Sequence, residues 1–506
     1  MARLVVPPID RFKVVYDPIY GYVPVTKVEY AILQTPAMNR LHDIKQLSLA
    51  YYVFPGAVGT RFSHSLGAMH IASRMVTQLL QSLELNSLEN LFPKIQQPEC
   101  VVEVVQNVRL AALMHDIGHG PFSHALEEIM IMNLKKNYQD ELKEALARFG
   151  VKEPSHLPVH EYYSCRITED VIAKLSESDL PTECREAFQA VNFKNVTALL
   201  TKDPKPSQDL CTQSGLKVLR KVISSELDAD RMDYLQRDSY YTGVPYGRID
   251  AERVITNMLI HITPNKDYEV AVHERGLAAV EDMLDARFKM YKWLVSHHMV
   301  VALDQLLKQA VASLIELNKD ELKKFYWTVF GSGEFADTDL MWLLSSSFKQ
   351  KGSPFFGLFD RNFLPVSLLK RPDDHKKFQD KVENKLSKEI TEETFKVKLQ
   401  KFSDQVEKNP TCNLNGVDFR VLFTLMPRSS YSLVEGQDTV WIYSERSGRL
   451  SDLTRISDYF KAINKAWSEF PSYFISYVIP KKTKDEAKSY RDTITNRLVE
   501  QIAPLT

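Results

Sequence analysis

Apolar residues recur every three to four positions through much of the first 320 positions of this 506-residue chain. The stretch "VTKVEYAILQTPAMNRLHDIKQL" has that spacing and breaks at Thr35-Pro36, because a residue before proline is pushed out of the helical region. "FSHSLGAMHIASRMVTQLLQSLEL" predicts a strong amphipathic helix with Ser63 as its N-cap. Residues 101–117 predict a second, very apolar helix that Gly118 and Pro121 bring to an end. A further helical run covers 276–317. After about residue 318 the pattern changes. Lys/Glu-rich segments such as 376–401 read as exposed helices, since their charges are of both signs. "VDFRVLFTLM" (417–426), "DTVWIYSE" (438–445) and "SYFISYVIP" (472–480) read as strands, with a helix at 454–467. The expected fold is mainly α: an all-helical catalytic core over 1–317, then a smaller C-terminal α+β part over 318–506 with an accessory or regulatory role.

Composition narrows the setting. With 44% hydrophobic and 25% charged residues, the chain has the make-up of an ordinary soluble globular protein, and its length calls for more than one core. A net charge of −1 argues against a generally basic, nucleic-acid-coating protein, while a local basic groove stays open. Cys100, Cys165, Cys184, Cys211 and Cys412 never fall at C-x-x-C spacing, which favours a reducing compartment and excludes a cysteine-rich zinc module. The start "MARLVVPPIDRFKVV" lacks the apolar segment of a signal peptide, and no uncharged apolar run approaches the ~18 residues of a membrane span. The expected address is the cytoplasm, with no membrane partner.

Candidate chemistry concentrates in "LAALMHDIGHGPFSH" (110–124), where three histidines and an aspartate follow an apolar run. Polar groups at the end of a buried helix need partners, and a metal ion is one. Two other stretches carry similar material. "GTRFSHSLG" (59–67) places His64 beside Arg61, and "SELDADRMDYLQRD" (225–238) packs five acidic groups into fourteen residues. Singly, His64 reads as a surface or capping histidine and "DADRMD" as a solvated helix face. Jointly with His115-Asp116 they offer the mixed imidazole–carboxylate set, His64, His115, Asp116 and Asp230, that suits a metal acting on phosphate.

The order H…HD…D, with "YYVFPGAVGTRFSHSLG", "HDIGHGPFSH" and "ELDADRMDYLQRD", closely resembles the HD-domain dNTP triphosphohydrolase family. The resemblance runs from "DPIYGYV" (17–23) to about residue 300, leaving no room for the sterile-alpha-motif domain that precedes the HD domain in the animal member. It implies that His64, His115, Asp116 and Asp230 hold a divalent metal, and that Asp116 also reaches a neighbouring ion or water. Histidine-rich ligation favours iron, manganese, zinc or nickel there, with magnesium on the triphosphate. By the same resemblance His119 and His124 face the phosphates, His124 is the proton donor oriented by Glu127, and His160 is a further phosphate-side histidine. Arg61 neutralises the triphosphate, a role that suits a guanidinium fork. Gln46 and Asp238 bond the sugar 3′-hydroxyl, Leu47 lies beside them, and Tyr234 crowds C2′. Arg287, Tyr291 and His297 fall in the nucleotide-side register, but Val295 stands where a tyrosine normally stacks on the base. His70 reads as packing.

The implied reaction converts a dNTP and water to a deoxynucleoside and triphosphate. The implied partners are the dNTP, an allosteric nucleotide and further copies of the chain, as a tetramer or dimer. At the family's guanine-reading activator site Lys13 is kept, whereas Gln34, Asn39 and His42 depart. Gln34 cannot reproduce a carboxylate's charge toward guanine, so the activator is another nucleotide or there is none. Arg253 serves an allosteric phosphate or is a plain surface arginine. Two other functions compete: an HD-type nuclease or general phosphohydrolase, and a nucleotide- or nucleic-acid-binding regulator. No GYP-type motif follows the HD pair, which disfavours a cyclic-dinucleotide phosphodiesterase.

Overall fold

Two helices set the frame of the first half, Arg61–Ser82 and Pro98–Met114, and their apolar faces pack on each other through residues such as Met69, Ala72, Val76, Val104, Val108 and Ala111. The computed structural model describes residues 4–154, 157–178, 180–201, 211–317, 333–387, 389–414, 416–425 and 439–505. The chain divides into two units, Met1–Met290 with Glu321–Thr338 and Leu433–Ile463, and Tyr291–Asp320 with Asp339–Ser432 and Asn464–Thr506. It is mainly helical, as the periodicity predicts.

In the first unit the expected break at Thr35-Pro36 separates the helices Lys27–Leu33 and Pro36–Asn39, and Thr35 caps the second. The long helix starts at Arg61 with Thr60 as N-cap, not Ser63. The cap lies earlier because Lys45 bridges to Thr60 and holds it extended (φ −109°, ψ 155°), where its hydroxyl accepts from Ser63 N–H. The apolar helix ends at Met114, so His115 to Gly118 already belong to the turn that follows. Buried Arg109 forks onto Glu29 at 2.7 Å through both Nε and NH2, tying this helix to Lys27–Leu33.

The core is not all helical. A hairpin, β1 (Lys13–Asp17) and β2 (Gly21–Val25), opens the unit, with Gly21 at φ +71° where the chain leaves the turn and enters β2. Strands β3 (Met258–Ile262) and β4 (Tyr268–His273), "MLIHI" and "YEVAVH", are short alternating runs too brief to outweigh the helical pattern around them. The expected strand at 438–445 forms as β8 (Trp441–Ser444). It pairs parallel with β4 and antiparallel with β9 (Arg449–Asp452), giving the order β3-β4-β8-β9.

The second unit is an antiparallel sheet in the order β5-β10-β7-β6, from Val366–Ser367, Tyr473–Val478, Val417–Leu425 and Thr411–Leu414. Helices Pro372–Leu386, Glu392–Lys408 and Arg491–Ile502 join its core, which includes Phe378, Leu399, Phe402, Phe423, Ile475 and Leu498. The charged stretch 376–401 is thus two helices, each solvated on one face and buried on the other.

One contact in the first unit fixes the turn after Met114. A Cβ on Gly118 would lie 2.0 Å from Ser164 N and 2.3 Å from His160 O, both backbone atoms of the helix Val159–Glu177. Only glycine permits that approach. Gly118→Ala should therefore destabilise the protein by at least about 2 kcal/mol through overpacking, read as a lower melting temperature in calorimetry.

Candidate functional site: a buried imidazole–carboxylate centre beside a histidine cluster

His64, on the first turn of Arg61–Ser82, is fully buried. His115 and Asp116 leave the end of Pro98–Met114, and Asp230 sits on the first turn of Ala229–Thr242. The fold brings these four together. His64 Nε2 lies 3.0 Å from Asp230 Oδ1 and 3.3 Å from Asp116 Oδ2, while His115 Nε2 lies 3.3 Å from Asp116 Oδ1 and 3.8 Å from Asp230 Oδ1. Both rings are held through their other nitrogen: His64 Nδ1 is 2.8 Å from Asp233 Oδ2, and His115 Nδ1 is 2.7 Å from Ala112 O. With Nδ1 donating, each Nε2 presents a lone pair, and neither has a hydrogen-bond partner although both are buried.

These donors fit a divalent cation. Ligands bonded at about 2.1 Å in octahedral geometry stand about 3 Å apart, close to the donor separations here. Locking a ligating histidine through its second nitrogen is how metal sites fix tautomer and ring orientation. Burial raises the cost of a charge on Asp116, yet Arg61, His115 and His119 outweigh it and hold its carboxyl well below the usual range. Arg61 NH1 lies 2.5 Å from Asp116 Oδ2, and Arg61 Nε donates to Ser123 Oγ at 3.0 Å.

Behind these ligands lies a layer that the motifs assign no role. Asp233 holds His64, accepts from Arg237 Nε and NH2 at 2.8 and 2.9 Å, and accepts from the Tyr20 hydroxyl at 2.8 Å. Arg237 reaches Asp17 at 2.8 Å. A Cβ on Gly67 would come within 1.8 Å of Asp233 Oδ1, so glycine lets the two helices meet there. The signal available was Asp233's place three residues after Asp230 on one helix. His70 stacks on Tyr20 with ring centroids 5.1 Å apart.

A second group forms on the other side of Asp116. His119 and His160 stack at 4.3 Å, and His119 Nε2 lies 3.3 Å from Asp116 Oδ1. Glu127 Oε1 accepts from His124 Nδ1 at 2.9 Å and from His160 Nδ1 at 2.5 Å. Burial opposes a charge on His160, but Glu127 overcomes it and raises its pKa to about 9. His119 goes the other way, held well below its ordinary value by burial, Arg61 and His160. The cluster thus pairs a histidine that keeps its proton at neutral pH with one that stays neutral. His124 is 61% exposed and opens outward.

Tyr234 and Asp238 follow Asp230 at four-residue intervals on one helix, which sets all three on one face. Asp238 is buried and pushed up to about 7 by that burial, against the pull of His64 and Arg61. Gln46 is buried with no partner for its Oε1, and its N–H donates to Gly59 O at 2.9 Å. Leu47 beside it is half-buried. Arg287 NH1 is bound to Glu226 at 2.5 Å, and Tyr291 opens a π-helical turn in the second unit. Lys13, Gln34, Asn39 and His42 are exposed; the Lys13 ammonium lies 5.2 Å from the Phe12 ring centroid, and His42 stacks on Phe62. Arg253 donates to Arg275 O.

Residues 61–238 match the HD domain and residues 249–398 the HD-associated region, which carries the likeness past the point near residue 300 where the motifs fade. The chain carries an HD domain followed by an HD-associated region. It is similar to an uncharacterized protein of Methanocaldococcus jannaschii, 30% identical over 62% of this chain and 52% of that one. It is also similar to the deoxynucleoside triphosphate triphosphohydrolase SAMHD1 of Homo sapiens, 27% identical over 61% of this chain and 46% of that protein. The match thus spans about half the length of these relatives. A phosphohydrolase structure from Bacteroides thetaiotaomicron shares the fold, with TM-score 0.54 and 21% identity over 93% of this chain and 100% of that one. Among the described residues no helix is long and apolar enough to cross a membrane.

Asp238 gives this site a pH signature. Its raised folded pKa favours the neutral form, so the ionised carboxylate lowers stability progressively as pH climbs from about 4 to about 7. Asp238→Asn should therefore melt higher than the parent at pH 8, with the advantage gone near pH 4; calorimetry across that range reads it directly.

Proposed function

We propose that the protein is a metal-dependent dNTP triphosphohydrolase that converts a dNTP and water to a deoxynucleoside and triphosphate. The observation that carries this reading is the pair of Nδ1-anchored imidazoles whose buried, unpaired Nε2 atoms meet Asp116 and Asp230. The similarity to SAMHD1 and the sugar-side set of Gln46, Tyr234 and Asp238 support the deoxynucleotide substrate.

His64, His115, Asp116 and Asp230 would hold iron, manganese, zinc or nickel, which supplies Lewis acidity at the α-phosphate and lowers the pKa of a water; magnesium accompanies the triphosphate. Asp116 fixes the charge of this centre by staying ionised. His124 stands at the solvent side with Glu127 on its Nδ1, leaving Nε2 to give a proton to the departing O5′. His160 shares Glu127, keeps its proton and adds positive charge beside the phosphates. Neutral His119 spaces the two groups without adding charge. Gln46 and the Asp238 carboxyl bond the 3′-hydroxyl, the carboxyl accepting its hydrogen and the Gln46 amide N–H donating to its oxygen, and Tyr234 closes the 2′ side.

A phosphohydrolase of wider scope is the second reading. The Arg61–Asp116 pair favours it, because the guanidinium expected on the triphosphate is engaged with a carboxylate.

The purified protein should release intact triphosphate from dGTP and far less from GTP. Asp116→Ala should abolish that release and lose bound metal on elemental analysis, since it removes a ligand. Release of monophosphate from both nucleotides at equal rates would establish the wider reading instead.

The leaving-group role is separable from metal binding. His124→Ala should keep its metal and lose roughly 10²–10⁴-fold in kcat on dNTPs. A p-nitrophenyl ester, whose departure needs no proton, should recover most of that loss. An equal deficit on both substrates would move His124 to the phosphates.

A further inference from the structure

The turn that aims His124 is conformationally costly. Phe122 (φ +59°, ψ 25°) and Ser123 (φ +54°) are successive non-glycine residues in the left-handed region, and Ser48 (φ +48°), next to Leu47, is another. Such backbone persists where its surroundings over-determine it.

Much of that determination comes from a distant segment of the same unit, residues 333–338. Asp337 is only 2% exposed, and its two oxygens are divided between two loops. Oδ1 accepts from Phe122 N–H at 2.6 Å, and Oδ2 accepts from Lys45 N–H at 3.0 Å. Lys45 is the residue before Gln46, so one carboxylate joins the histidine turn to the Gln46 loop. A parallel tie runs alongside: Ser123 Oγ donates to Lys45 O at 2.8 Å and accepts from Arg61 Nε. Arg40, also buried, donates to Ile117 O at 2.5 Å and to Phe335 O at 3.2 Å, and Thr338 N–H donates to Asp43 at 3.2 Å.

We infer that Asp337 is a positioning residue: it fixes the Gln46 loop to the Phe122–Ser123 turn and so sets where His124 and Gln46 meet a substrate. This inference rests on the phosphohydrolase reading of the site. The chemistry asks for a carboxylate. Two backbone N–H groups from different loops need two acceptor oxygens, and an asparagine offers one, turning its own N–H toward the other donor. Burial also pushes the Asp337 carboxyl up to about 6, so at neutral pH its ionised form is held at a cost to stability. The Lys45 ammonium at 3.8 Å eases that cost, and Asp43 adds to it.

The test compares wild-type full-length protein with Asp337→Asn by hydrogen exchange, melting temperature, metal content and kcat on dGTP and p-nitrophenyl phosphate. Peptides covering 44–48 and 118–124 should exchange faster in the variant while the rest of the chain does not. Melting should stay within a few degrees and metal content equal to wild type, with kcat at least tenfold lower. Unchanged exchange in both peptides overturns the inference, as does faster exchange with full kcat. Wild-type protein inactive on both substrates would overturn the phosphohydrolase reading, and the exchange comparison then decides the inference alone. Should Asp337→Asn fail to fold, Ser123→Ala cuts the parallel tie between the same loops. A loss of kcat at unchanged metal content supports the inference there, and full kcat overturns it.

Discussion

The carboxylate of Asp116 has four neighbours, and the site is arranged around them. Oδ2 faces Arg61 and His64, and Oδ1 faces His115 and His119. A buried carboxylate is expensive unless it is compensated on every side, so each neighbour must arrive from a different part of the chain at the right distance. That requirement is met where the start of Arg61–Ser82 lies beside the end of Pro98–Met114, the two helices being packed along their apolar faces.

The same carboxylate links two chemically different neighbourhoods. Toward His64 and His115 the imidazoles are anchored and their free electron pairs converge, which suits a cation. On the other side His124 and His160 share Glu127, and His119 and His160 differ in protonation, which suits proton handling. A single oxygen of Glu127 receives two histidine donors, so the negative charge that raises His160 is the charge that orients His124.

How much of this could be read from the sequence divides along physical lines. The long helices, the Thr35-Pro36 break and the late strands were legible because each repeats a pattern over many residues. The hairpins at 13–25 and 258–273 were not, because five- or six-residue strands inside a helical context carry too little periodicity. Ser63 was a sound N-cap by type; Thr60 took the role because pairing with Lys45 holds it extended, and that pairing spans fifteen residues. Candidate ligands were legible as a resemblance to known motifs, and the fold brings His64, His115, Asp116 and Asp230 together. Asp233 was marked only by its spacing after Asp230, and Asp337 was invisible. Their partners are, respectively, a histidine 169 residues away and backbone groups 215 and 292 residues away.

That outer layer also bears on why the site exists. Buried Asp17, Asp233 and Arg237, with half-buried Tyr20, form a chain of ion pairs and hydrogen bonds behind His64. Well-packed apolar residues of similar volume would usually hold two helices together at least as firmly as buried charges do. Here the charged residues do something that leucines could not. They fix which nitrogen of His64 carries the proton, and they leave the other nitrogen as an electron-pair donor facing Asp116 and Asp230. The cost in stability falls where a defined donor geometry is required, as expected of a site kept for its chemistry.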